Sequence, residues 1–295
     1  MTDAQTRTRR TYAVANVCAV MVAIVAAAVF AGWIFHIEML KRIAPGLVAM
    51  NPLTALCCLM ASVSLMLQHH DPSPRRHRAV ALVLSLVIIA AGLSRIIAIW
   101  GHLDIGADIW MFRASLEGNR MAPQTASGLI IIGMALALLD LEIGRVRPAQ
   151  VLGLCGGGLA GVALVGYLYS THALYGLKAY IPIALHTAIC FTLLSLGILT
   201  VRPNRGFMQV INSPNLGGIL SRRVFPMAII APIILGWLRL YAQHQHLLDA
   251  ELGTALLVMT IIVIFTAVIW LTARLINDIE EKSRAAQLRY RAVVE

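Results

Sequence analysis

Two arginines stand inside apolar runs, Arg95 in Leu93-Ser-Arg-Ile-Ile97 and Arg239 in Gly236-Trp-Leu-Arg-Leu240. A charge at the centre of a bilayer costs about 2.5 to 3.5 kcal/mol on insertion scales, so each should meet a partner, a polar cavity or a route to the interface. Both fall in the outer third of the apolar run that contains them, where a long side chain can snorkel to the headgroups. The functional alternative is that they hold the anionic or carbonyl end of an amphipathic ligand. His186, Gln124 and Tyr180 would then be nearby hydrogen-bonding groups, and His102 and His172 would line an outward-facing vestibule.

The histidines raise a second chemistry. Haem b in a helical bundle takes two imidazoles from facing helices at matching depth. His172 and His186 are fourteen residues apart, but Gly176 and Pro182 interrupt any single helix that could carry both. Haem stays open as the lesser reading, and no cofactor is assigned. The loop residues His102, Asp104, Asp108, Met111 and Glu117 are too scattered to name a metal. All five cysteines (Cys18, Cys57, Cys58, Cys155 and Cys190) lie in apolar runs and read as small packing residues. Asp140 and Glu142, beside Arg145, read as an interfacial charge cluster. No catalytic constellation emerges.

The elements that must position these residues follow from composition. Hydrophobic residues make up 59% of the 295-residue chain, charged residues 13%, and mean hydropathy is +0.79. That is the composition of an integral membrane protein. Eight runs approach the roughly 20 residues needed to cross about 30 Å of hydrocarbon. They cover 13–35, 45–67, 79–100, 122–141, 151–169, 181–201, 224–241 and 252–271. With the N-terminus placed in the cytoplasm, 17 of the 24 basic residues fall in inside segments, which satisfies the positive-inside rule and puts both termini there. The net charge of +10 is then explained by inner loops near anionic lipid, and nucleic-acid binding is a poor reading.

The even-numbered runs share a signature. Thr-Ala pairs open them at Thr54-Ala55, Thr125-Ala126, Thr187-Ala188 and Thr254-Ala255, and proline precedes the first three at Pro52, Pro123 and Pro182. Proline belongs in a helix's first turn, where its missing N–H is no loss, and threonine and alanine allow close helix contact. The odd runs end in aromatics followed by His36, His102, His172 and the pair His244 and His246. The expected architecture is an all-α bundle: eight transmembrane helices arranged as four hairpin repeats.

After the last run the composition turns charged. Ile276, Ile279, Ser283, Ala286, Tyr290 and Val293 are spaced by three and four residues, the seam of a short coiled coil continuous with the eighth span. A parallel dimer is the first reading of that seam, and a lone amphipathic helix on the membrane surface the second. The expected organisation is an N-terminal tail over 1–11, a transmembrane domain over 12–272 and a signalling helix over 273–295.

The segment Arg289-Tyr-Arg-Ala-Val-Val-Glu295 resembles the opening of a PAS domain as it follows a signalling helix in bacterial sensors. The membrane part carries Met-x-Pro-x-Thr-Ala helices, Leu185-His-Thr-Ala-Ile-Cys-Phe-Thr-Leu-Leu-Ser-Leu-Gly197 and Gly236-Trp-Leu-Arg-Leu240. It is similar to the multi-span input regions of PAS-containing sensor histidine kinases and of GGDEF or EAL proteins. The resemblance covers essentially the whole chain. It implies a sensory input module in the bacterial inner membrane, a homodimer in contact with lipid, relaying a stimulus to downstream cytoplasmic signalling domains or a response regulator. It implies no established ligand. The histidine box, ATP-binding glycines and GGDEF loop of such proteins are not found in the sequence, so any catalysis is expected beyond Glu295, by a histidine kinase or else a diguanylate cyclase. A small-molecule transporter and a haem-binding membrane redox protein are the alternative classes.

Overall fold

In the computed structural model, the structure describes residues 3–69, 73–102, 106–113, 116, 118–144, 146–169, 183–213, 215–245 and 249–294, with the side chains of 3–7, 216, 250, 275 and 277–294 left out. Among the described residues the fold is all-helical, with no strand and one isolated β-bridge between Ile143 and Val146. The helices are α1 (Asp3–Ile34), α2 (Glu38–Lys41), α3 (Pro52–Leu67), α4 (Arg75–Trp100), α5 (Pro123–Ala137), α6 (Pro148–Leu168), α7 (Leu185–Thr200), α8 (Gly206–Asn212), α9 (Leu216–His244) and α10 (Ala250–Val294). Among the described residues five stretches are long and apolar enough to cross a membrane: Thr8–Ile34, Arg75–Trp100, Pro148–Leu168, Gly217–His244 and Glu251–Arg274. The other three apolar helices, α3, α5 and α7, have only 15 or 16 residues. At 1.5 Å per residue they reach about 24 Å.

Those short helices begin later than the apolar pattern does, for a local reason. Pro52 and Pro123 occupy the first turns of α3 and α5, and the Asn51 side chain accepts the Leu53 N–H as an N-cap. Residues 45–50, apolar enough to be read as part of a span, are therefore spent on turns and irregular chain before α3.

The chain divides into two compact units, Met1–Asn212 and Ser213–Glu295. In the first, α3, α5 and α7 touch one another, and each of three longer helices lies along two of them. Helix α1 packs on α3 and α7, α4 on α3 and α5, and α6 on α5 and α7. A central trio is thus wrapped in cyclic order by the helices that precede its members in the chain. The stripe Ala15, Ala19, Val22, Ala26, Val29 and Trp33 shows how sequence encodes this: it recurs every three or four residues and is buried, while Val17, Met21 and Ile24 on other faces of α1 are exposed. Small residues let the backbones close in. A methyl group on Gly92 of α4 would stand 2.7 Å from the Ala126 carbonyl oxygen of α5, and one on Gly128 would enter the Phe191 ring of α7.

The second unit is a pair of helices, α9 and α10, packed on each other. Pro226 and Pro232 lie inside α9, so the carbonyls four residues before them receive no helical N–H. Helix α10 runs without interruption for 45 residues, from an apolar stretch ending near Arg274 into the charged segment. Its length is about 67 Å.

Candidate functional site

Polar side chains collect at the two ends of the central trio. At the end where α3, α5 and α7 begin, the Thr-Ala pairs face inward. Thr54, Thr125 and Thr187 are 1%, 4% and 1% exposed, and Ala55, Ala126 and Ala188 are fully buried. With Asn51, Asn119, Arg120, Met121 and Ala184 the three threonines surround a cavity of about 10 Å³, measured as room for the centre of a water-sized sphere. That is space for about one water.

The loops before α3 and α5 close over this end. Asp108, wholly buried on the short 3-10 turn Ala107–Ile109, accepts hydrogen bonds from Arg120 Nε at 3.1 Å and from the Met121 N–H at 3.0 Å. Arg95 completes the group. Its Nε donates to the Met121 carbonyl at 2.9 Å and lies 3.7 Å from Asp108 Oδ2. Asn51 Nδ2 reaches the carbonyls of Asp108 and Asn119, Asn119 Nδ2 donates to the Ala49 carbonyl, and Trp33 Nε1 donates to the Met50 carbonyl. A half-buried arginine is tolerated here because a buried carboxylate and a carbonyl meet it, as intramembrane charges require.

The opposite end carries a second ionic cluster. Arg202 is 2% exposed, and its Nε and Nη2 both donate to Asp140 Oδ1, at 3.1 and 2.9 Å, while Nη1 donates to the Gln68 carbonyl at 2.7 Å. Arg78 reaches the other carboxylate oxygen of Asp140 at 3.2 Å. Gln68 Nε2 in turn donates to the Leu136 carbonyl. His69, Asp140 and Arg202 each lie fifteen residues after the threonine of their own helix, so this register brings unlike residues of successive segments to one end. Glu142 has Arg147 within 3.7 Å, whereas Arg145 lies outside the described residues. Burial lowers the Arg147 proton affinity, and the positive charge of Arg205 adds to the effect.

The residues proposed for ligand binding separate as follows. Arg95, Gln124, His186 and His102 belong to the first unit and Arg239 to the second, while His172 and Tyr180 lie outside the described residues. Gln124 and His186 hold matching positions, each one residue before its threonine, and both are half-buried. Gln124 Oε1 and His186 Nδ1 are buried and meet no hydrogen-bond partner. Neither lines the axial cavity. Arg239 Nη2 donates to Thr254 Oγ1 at 2.8 Å, joining α9 to α10.

His36 and His102 have a backbone explanation. Both adopt positive φ, 56° and 49°, directly after α1 and α4. The Ile37 N–H bonds the Gly32 carbonyl at the first helix end, and the His102 N–H bonds the Ile99 carbonyl at the second, the two bonds of a Schellman ending. Histidine is among the residues that tolerate this left-handed position, so the recurrence marks helix ends.

Cys57, Cys58 and Cys190 are buried in the trio's core, and no disulfide forms among the described cysteines. Among the described residues there is also no group of three or more histidine, cysteine, aspartate or glutamate side chains that could hold a metal ion. Sequence reasoning missed Asp108, Asn51, Asn119 and Arg120 at one end and the Arg202–Asp140 pair at the other. The fifteen-residue register was the one available signal for the latter. Comparison with protein-family models, curated proteins and solved structures finds no match to this chain.

Proposed function

We propose that this chain is a membrane-embedded sensory input module of a bacterial signal-transduction protein, a sensor histidine kinase in the first instance. It crosses the inner membrane eight times as four hairpins, with both termini in the cytoplasm, and works as a homodimer. A stimulus on the outer side or within the membrane biases the packing of the helices, and α10 carries that bias to cytoplasmic signalling domains or a response regulator.

The observation that carries this reading is the unbroken helix Ala250–Val294. A helix that begins apolar and continues about 30 Å past Arg274 is a rigid lever between membrane and cytoplasm. The heptad positions Ile276, Ile279, Ser283, Ala286, Tyr290 and Val293 fall on that extension, and the resemblance of Arg289–Glu295 to a PAS opening gives it a destination. Ile276 is half-buried, and the side chains of the other five lie outside the described residues. The eight-span topology is supported by the cyclic wrapping of α3, α5 and α7, whose limited length suits helices enclosed by longer ones. Arg95 and Arg239, with Gln124, His186 and His102, remain the proposed ligand-binding residues, and Arg95 would act through its Asp108 partnership.

The test is a fusion of a histidine kinase or diguanylate cyclase output domain after Glu295, with one to seven residues inserted in the joint. Output is expected to rise and fall with the heptad period as the insertion lengthens. A response that does not depend on insertion length contradicts signalling through helix phase.

A further inference from the structure

We infer that the axial cavity where α3, α5 and α7 begin binds one small monovalent anion of the halide class. Three helix N-termini converge there, and each presents amide N–H groups that no helical carbonyl can satisfy. Asn51 caps α3, but Ala122 and Ala184 precede α5 and α7 without any side-chain cap. The positive ends of three helix dipoles therefore point at one small pocket, an arrangement that favours a negative occupant.

Thr54 supplies an independent observation. It lines the cavity, is 1% exposed, and its hydroxyl is buried with no hydrogen-bond partner. A threonine in a helix ordinarily donates to the carbonyl four residues back. Here no such bond forms, and the Met50 carbonyl accepts the Trp33 indole N–H at 2.8 Å. That partnerless hydroxyl belongs to a residue lining the cavity, which Thr125 and Thr187 also surround. Arg120 also lines it, which opposes a cation.

Size narrows the ligand. Room of about 10 Å³ admits an occupant close to one water in volume. A single-atom halide ion asks for less room than phosphate, sulfate or a carboxylate metabolite, and hydroxyl and amide donors around it suit its chemistry. The site does not depend on the sensory reading, since it would serve equally to hold the trio together.

Bromide is the probe, with the full chain purified in detergent. Melting is followed over a bromide series balanced by gluconate at constant ionic strength, for the wild type, Thr54→Val and Thr125→Val. The wild type is expected to show a saturable rise in melting temperature. Either variant should need at least tenfold more bromide for half the effect. Identical melting in bromide and gluconate overturns the proposal, as does an unchanged bromide response in both variants. Should a variant fail to fold, anomalous scattering from wild-type crystals grown in bromide decides: a peak among Thr54, Thr125 and Thr187 supports the site, and water alone there refutes it.

Discussion

The same dipeptide has opposite fates in the two units. Thr54-Ala55, Thr125-Ala126 and Thr187-Ala188 are buried against one another, while Thr254 and Ala255 are exposed on α10. Alanine after threonine lets helices meet closely only where a third and a fourth helix are available to complete the contact. The first unit has six helices in cyclic packing and a buried ionic cluster at each end. The second has two helices among the described residues, and one of its arginines, Arg239, reaches Thr254, in contrast to the carboxylate that receives Arg202. The difference separates a cyclically packed bundle from a two-helix pair.

Breaking the first unit's ion pair should produce the largest effect. Arg202→Met leaves Asp140 with Arg78 as its ion-pair partner among the described residues and the Gln68 carbonyl without the Arg202 donor, and is expected to cost about 3 to 5 kcal/mol. Arg239→Met removes one hydrogen bond to an exposed threonine and is expected to cost about 1 kcal/mol or less. Reversible unfolding in mixed micelles measures both, and equal losses would erase the contrast between the units.

A glycine pair sharpens the comparison at smaller magnitude. Gly92→Ala drives a methyl group to 2.7 Å from the Ala126 carbonyl, so α4 and α5 must separate, with an expected loss of about 1 to 3 kcal/mol. Gly158→Ala on α6 meets nothing within 4 Å and should be neutral or stabilising by up to about 1 kcal/mol, since alanine is the better helix former. The same unfolding assay ranks them.

Sequence pattern reached the helices and stopped short of their partnerships. Pro52 and Pro123 announce the starts of α3 and α5, because a first-turn proline has a local cause. The burial of the threonines follows from helical register, and the continuity of α10 from the absence of any glycine or proline after Gly253. Arg95 was legible as a charge in need of company. Its companion Asp108 was not, because the loop that folds Asp108 back under Arg120 obeys no periodicity. His102 was ambiguous for a related reason: a left-handed helix end and a ligand vestibule both place histidine after an aromatic-rich run. The division at Asn212 was equally hidden, since the fourth apolar pair repeats the motif of the others.

Cysteine cross-linking along the extension of α10 tests the central claim most directly, that this helix leaves the membrane paired with its counterpart in a second copy. Single cysteines are placed at each position from 274 to 293 in a chain whose exposed Cys155 is serine, and oxidised in native membranes. Cross-linked dimer should peak at Ile276, Ile279, Ser283, Ala286, Tyr290 and Val293 and fall between them, following the three-and-four spacing of a parallel seam. Uniform cross-linking along the segment, or none above background at these six positions, would contradict the account.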